Sequence, residues 1–290
     1  MLQSGRIGQM ENRSRPDYLI LGHVTQDITP KGLMTGGTVS YSGRMAQALG
    51  CRTLIVTSAG PDFEPAKELP GLAVKIKPSA DTTTFENVYT AEGRQQYLYK
   101  RANCIEASDI PLDWRQADIV HLGPLDMEID PTIIEAFFPN SKVGITPQGW
   151  LRKWDEHGKV TYNSWSPDPA VLSKAAVVIV SEEDIPPDES LQPYIEHTPI
   201  FIQTKGVEGC VVYERGSAHY YPAPSVNAVN LTGAGDTFAT AFLFRLHQTD
   251  SFSEAAEFAN YIAAWSVTGN TLTEKITIIQ QKQLDYPNYV

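Results

Sequence analysis

Asn230-Leu231-Thr232-Gly233-Ala234-Gly235-Asp236-Thr237 joins a glycine turn to an apolar helix. Ahead of it, Ala223 to Val229 reads as an irregular approach; after it, Phe238, Ala239, Ala241, Phe242, Leu243 and Leu246 recur at helical spacing, so a helix opens at about Asp236. Gly233 and Gly235 permit backbone angles and close approaches that a side chain forbids, and the first amides of the helix are left without intrahelical acceptors. Those amides and the helix dipole make an anion site, suited to a phosphate or a phosphoryl group in transfer. A carboxylate in the same turn has the wrong sign for anion binding, but the right chemistry for taking a proton from an attacking hydroxyl, and Asp236 fits that task. A plain N-cap is the competing reading of Asp236. A dinucleotide fingerprint is a third, although it expects glycine where Phe238 stands and usually follows a first strand.

The 290 residues, 42% of them hydrophobic, are enough for one large α/β domain or one domain with a small appendage. A balance of 23 basic to 34 acidic residues, net charge −11, argues against nucleic acid and anionic membrane as partners. Cys51, Cys104 and Cys210 are odd in number and widely separated, which points to a reducing cytoplasm rather than a disulfide scaffold. Residues 1–15 read as a polar, flexible tail without an export signal, and no apolar run reaches the roughly 18 residues of a membrane span. The expected division is therefore a tail, 1–15, and a domain over 16–290.

Tyr18-Leu19-Ile20-Leu21-Gly22 is a buried first strand, followed by a polar stretch holding Asp27. Ligands of open α/β sheets collect beyond strand carboxyl ends, so Asp27 is a candidate to accept hydrogen bonds from substrate hydroxyls, or else a turn-forming aspartate. Gly36-Gly37 then opens a second helix through Tyr41, Met45, Ala48 and Leu49, ending at Gly50. Thr82 to Tyr89 and Gln95 to Lys100 predict a polar hairpin projecting from the body, over about 82–101, with Arg101 at its return end. Strand and helix patterns alternate from Ile119 to Val180, which predicts a mostly parallel sheet. Ser181-Glu182-Glu183-Asp184 lies at the end of one such strand and suits either hydrated Mg²⁺ or an acidic helix start. Thr204, Gly206 and Gly209 follow the strand Ile200 to Thr204, and a hairpin of Cys210 to Glu214 with Ala218 to Tyr221 leads back to the glycine turn. Asn260 is the lone amide on a small and aromatic helix face, and Lys275 to Leu284 forms a last amphipathic helix.

Taken in order, Gly22 with Asp27, Gly36-Gly37, Thr204/Gly206/Gly209, Thr232-Gly233-Ala234-Gly235-Asp236-Thr237 and Phe258-Ala259-Asn260 resemble the PfkB, or ribokinase-like, carbohydrate kinases over about Asp17 to Val267. The resemblance implies a Rossmann-like αβα sandwich with a mostly parallel central sheet and a small β-sheet lid. It implies transfer of the γ-phosphoryl group of ATP to a hydroxyl, with Mg²⁺. Asp236 matches the family's base, Gly233, Ala234 and Gly235 its anion hole, and Asp27, Gly36 and Gly37 its acceptor site, with Tyr41 and Arg101 nearby. Thr204, Gly206, Gly209 and Asn260 match positions around the nucleotide, and Asp184 the magnesium side. Thr83-Thr84, Lys100-Arg101 and Ser181-Glu182-Glu183 are similar to the inositol-kinase branch, which favours a myo-inositol-like acceptor. Three departures stand out. Ser181 and Asp184 replace Asn and Glu beside the metal; Asn230-Leu231 replaces Asp-Thr, which sets dependence on potassium in doubt; Ser40 and Tyr41 stand where ribokinases carry asparagine. A nucleoside kinase, a non-catalytic nucleotide-binding relative and a nicotinamide oxidoreductase are the alternatives. The lid either covers its own site or pairs two copies.

Overall fold

The computed structural model describes residues 17–30, 32–90 and 93–287, so the expected tail over 1–15 lies outside them. The strands in chain order are β1 (Asp17–Leu21), β2 (Thr25–Thr29), β3 (Gly32–Gly36), β4 (Arg52–Ala59), β5 (Ala73–Pro78), β6 (Thr83–Thr90), β7 (Gly93–Lys100), β8 (Ile119–Leu122), β9 (Lys142–Ile145), β10 (Arg152–Trp154), β11 (Val160–Tyr162), β12 (Val177–Ser181), β13 (Ile200–Thr204), β14 (Gly209–Glu214) and β15 (Ser217–Pro222). The helices are α1 (Thr38–Ala48), α2 (Pro65–Glu68), α3 (Pro169–Lys174), α4 (Gln192–His197), α5 (Ala234–Thr249), α6 (Phe252–Ser266) and α7 (Leu272–Asp285).

Nine strands form one sheet in the order β15-β14-β13-β12-β9-β8-β1-β4-β5, parallel except for the antiparallel edge β13-β14-β15. The parallel strands are continuous apolar runs because both faces are covered. Tyr18 and Ile20 face a core built with α1, α5 and α6, while Leu19 and Leu21 face a second core with Ile133, Leu172 and Tyr194. In α5 the predicted stripe of Phe238, Ala239, Ala241, Phe242, Leu243 and Leu246 is buried throughout, and each large side chain contributes about 2 kcal/mol. The stretch from Pro131 to Ala136, expected as a helix through Phe138, is a short 3₁₀ segment.

The chain runs from β1 outward through β4 and β5, then returns to β8 on the other side of β1. Such a reversal opens a crevice at the strand ends. The lid is larger than the expected hairpin: a four-stranded sheet in the order β3-β2-β6-β7. Its two additional strands, β2 and β3, leave the sheet end directly after Gly22, so Asp27 lies on a lid strand, opposite Met34 and Phe85, and not on a turn. Phe85 and Leu98 pack beneath the lid on Leu125, Trp154 and Val160, and Leu98 N donates to Gly158 O at 2.8 Å.

Candidate active site

Gly233 takes a left-handed conformation, φ 77°, as the residue capping α5, so the helix begins at Ala234, two residues earlier than predicted. A Cβ at Gly233 would stand 2.2 Å from Cδ1 of Tyr41, so both backbone angle and packing require glycine there. The turn is closed by Ala234 N donating to Leu231 O at 3.1 Å and Thr237 N to Gly233 O at 2.9 Å. Asp236 sits in the first helical turn, half-buried. Burial pushes its carboxyl up to about 6; the Thr38 hydroxyl bonded to it lowers it, Asp184 raises it and Arg152 lowers it. Thr38 is the first residue of α1, directly after Gly37. The two glycine turns of the sequence therefore meet at one carboxylate.

Tyr41 lies between the two aspartates: burial first, then the charges of Asp236 and Asp27, push its hydroxyl up to about 12. The Asp27 carboxylate accepts from Thr25 Oγ1 at 3.1 Å and rests against Gly36, where an added Cβ would fall 2.4 Å from Asp27 Oδ2. Gly36 is thus the clearance for Asp27, and Gly37, at φ 88°, turns the chain into α1. Asp184 accepts from Gln148 Nε2 at 2.9 Å and more weakly from Ser181 N at 3.4 Å. Hence Asp27, Gly36, Gly37, Tyr41, Gly233, Asp236 and Asp184, drawn from four distant segments, converge on one mouth. Asp184, oriented by Gln148 and close enough for its charge to raise Asp236, offers hard oxygen of the kind that holds Mg²⁺ through water.

Other predicted residues have different partners. Thr204 closes β13, its carbonyl accepting from Glu182 N at 3.0 Å, which puts it beside the Ser181–Asp184 loop. Gly206 is exposed, and Gly209, φ 108°, lies against Tyr221 O. Asn260 was expected at adenine or between helices; its amide donates to Tyr221 O at 2.9 Å, tying α6 to β15 because a buried amide requires an acceptor. Arg101, a candidate either to touch a polar substrate or to be a surface arginine, donates to Asp126 Oδ2 at 3.1 Å and Asp126 O at 2.6 Å and stacks 4.6 Å from the Trp154 ring. A fully buried carboxylate is the stronger partner for a cation.

Asp126 belongs to a group that the sequence reading missed. His23, Asp126 and Glu128 are all 0% exposed at the foot of the lid. His23 Nδ1 stands 2.9 Å from Asp126 Oδ1, and Glu128 accepts from the amides of His23, Leu125 and Asp126 at 2.9–3.0 Å. Burial opposes charge on His23, but Glu128 and Asp126 raise it; burial and Asp126 raise Glu128. Arg101 adds a cation beside Asp126. The Glu128 oxygens are taken up by backbone amides, whereas Asp126 Oδ1 accepts no hydrogen bond among the described residues, and the ligand atoms of His23, Asp126 and Glu128 lie within 4.8 Å of one another, close enough to hold a metal ion at the foot of the lid. Arg152, on β10, is the other missed residue, and no spacing in the sequence links it to Asp236.

Comparison with known proteins bears on the fold. Residues 167–277 match the pfkB family carbohydrate kinase pattern. A fructokinase of Escherichia coli is 28% identical over 174 residues, covering 54% of this chain and 55% of its own. An inositol 3-kinase of Zea mays is 29% identical over 203 residues, covering 66% and 52%. The chain thus spans about half the length of the curated relatives it matches. Among solved structures, a pyrophosphate-dependent kinase in the ribokinase family superposes with a TM-score of 0.73 at 20% identity, covering 86% of this chain and 95% of that one. A ribokinase of Thermotoga maritima gives 0.70 at 16%, covering 94% and 100%. On its sheet order and these matches, the chain has the ribokinase-like fold and, over residues 167–277, resembles the pfkB family carbohydrate kinases.

Proposed function

We propose that this protein transfers the γ-phosphoryl group of ATP to a hydroxyl of a small sugar or cyclic polyol, with a myo-inositol-like acceptor favoured. The observation that carries the reading is Asp236: a half-buried carboxylate in the first turn of α5, its pKa raised to about 6, beside the amides of Gly233, Ala234 and Gly235. At neutral pH it is about nine-tenths ionised and close in basicity to the medium, as a general base should be. Asp27 orients the acceptor, Asp236 removes the proton from its hydroxyl, and the new P–O bond forms as the β–γ bridge of ATP breaks and ADP leaves. The glycine-turn amides stabilise charge on the transferring group. Bound Mg²⁺, held by Asp184 through water, would neutralise charge on the donor phosphates. Thr204, Gly206 and Gly209 border the nucleotide in this reading.

Tyr41, packed on Gly233 between Asp27 and Asp236, narrows the acceptor space, which supports a compact ring alcohol. The inositol 3-kinase relative supports the same class. No helix among the described residues is long and apolar enough to cross a membrane, and the three cysteines are free, which supports a cytoplasmic setting. Pairing of two copies through the lid belongs to the same proposal.

The test is donor consumption with Mg·ATP, and separately Mg·pyrophosphate, against myo-inositol, fructose, ribose and adenosine, with Asp236→Asn as control. Acceptor-dependent consumption of ATP by the ring alcohol or a sugar, lost in the control, is expected. Adenosine as the preferred acceptor would transfer the reading to a nucleoside kinase, and pyrophosphate as the sole donor would remove ATP. Consumption of neither donor with any acceptor would end the kinase reading.

A further inference from the structure

Lys275 is buried to 2% exposure, in the first turn of α7, where the helix dipole also opposes a cation. A lysine in that place needs strong acceptors. Its Nζ donates to Asn230 O at 2.5 Å and Thr232 O at 2.9 Å, both on the segment that leads into the glycine turn. A Cβ at Gly269 would stand 3.1 Å from Lys275 Cγ and 2.9 Å from Lys275 N, so this glycine gives the stem its passage. The same segment is secured from the other side. Val229 N and Asn230 N donate to Val267 O at 2.8 and 3.1 Å, and Asn230 Nδ2 donates to Asn270 O at 2.8 Å. Burial pushes Lys275 down to about 8, which leaves it an ammonium at neutral pH.

In a planar trans peptide the C=O and the following N–H point in opposite directions. With Thr232 O drawn to Lys275, the N–H of Gly233 is turned away from α7; the Ala234 N–H is already donated to Leu231 O, which leaves the amides of Gly233 and Gly235 for an anion. Two carbonyl oxygens converging on one point are also what a bound monovalent cation would require. The chain places its own ammonium there.

We propose that Lys275 is a built-in cation that fixes the orientation of the Thr232-Gly233 peptide and so aims the anion-binding amides at the phosphoryl group. It is a positioning residue, and the proposal rests on the phosphotransfer reading of the Asp236 turn. A further consequence is full turnover without added potassium or ammonium.

The test compares the parent with Lys275→Met and Lys275→Ala in three readouts: thermal melting, donor consumption with and without propylammonium chloride, and binding of inorganic pyrophosphate by calorimetry without acceptor. Both variants should lose turnover roughly 10- to 100-fold, the range for residues that orient a site without touching substrate. Propylammonium should restore Lys275→Ala at least about fivefold, while tetramethylammonium at equal ionic strength should not, because only the former can donate to the two carbonyls. A purely structural lysine would lower the melting point without this selective rescue. Lys275→Met within about twofold of the parent, or a loss in Lys275→Ala with an unchanged melt and no rescue, would overturn the proposal. Should Lys275→Met fail to fold, Lys275→Ala folded in propylammonium carries the same comparison. A parent that turns over no acceptor but binds pyrophosphate at least about tenfold more tightly than Lys275→Met would end the kinase reading and leave this one standing.

Discussion

Glu128 at the foot of the lid and Asp236 at the mouth of the cleft are both carboxylates that burial pushes upward, yet their surroundings are opposite. Glu128 is 0% exposed and ringed by the amides of His23, Leu125 and Asp126, with His23 and Arg101 completing the group. Asp236 is half-buried, bonded by the Thr38 hydroxyl, and within electrostatic reach of Asp184, Tyr41 and Arg152. A raised carboxylate therefore does not by itself mark a working one. What separates the two is whether the lone pairs are already committed and whether solvent reaches them. The lid foot uses charge to hold β2, β7 and the segment after β8 in one arrangement, and the mouth keeps charge available for chemistry.

The largest expected effect that sharpens this contrast is at Gly233. Gly233→Ala forces a side chain into the Tyr41 ring at a positive φ, and turnover per folded molecule should fall on the order of 10²-fold, alongside a stability loss of about 1 kcal/mol or more from the strained turn. Next is Asp126→Ala, which leaves His23 and Arg101 without their anion; a loss of about 3–5 kcal/mol in denaturant unfolding is expected, with turnover per folded molecule much less affected. Smaller still is the pH profile: kcat/KM should rise with pH along a limb set by Asp236 at about 6, since the base works only when ionised. A limb near the ordinary aspartate value of about 4 would break the assignment of Asp236 to a desolvated site.

The smallest effect concerns stability. The folded pKa of Asp236 lies above its unfolded value, so the native state binds more protons between about 4 and 6, and the group's contribution falls as pH rises through that window. Asp236→Asn removes the charge and should melt slightly above the parent at pH 8. At about pH 3, below both values, where both states of the parent are mostly protonated, the difference should vanish. A variant that melts lower at pH 8 would contradict a carboxylate strained by burial.

The main sheet was readable because its parallel strands are buried on both faces and appear as plain apolar runs, such as Tyr18 to Leu21 and Val177 to Val180. The glycine turn was readable because Gly233 and Asp236 are local to one another. The strands β2 and β3 escaped notice because Thr25–Thr29 and Gly32–Gly36 are polar and half-exposed, with Leu33 and Met34 facing outward, and show no alternation to flag them. The lid foot escaped because His23 and Glu128 are more than a hundred positions apart, and histidine beside β1 reads as an ordinary polar residue. Lys275 passed as the polar face of an amphipathic helix; only the packing of α7 against the segment 230–232 gives it partners. Arg101 and Asn260 stand out in the sequence as candidate contacts, but spacing cannot tell a ligand from Asp126 or the Tyr221 carbonyl.

The most direct test of the contrast is one assay on two variants, Asp236→Asn and Glu128→Gln, measuring donor consumption per folded molecule with the best acceptor alongside thermal melting at pH 7.5. The account predicts turnover lowered on the order of 10²-fold or more for Asp236→Asn with melting preserved, and lowered melting for Glu128→Gln with turnover per folded molecule within about threefold of the parent. Turnover retained in Asp236→Asn, or abolished in well-folded Glu128→Gln, would contradict it and move the chemistry to the foot of the lid.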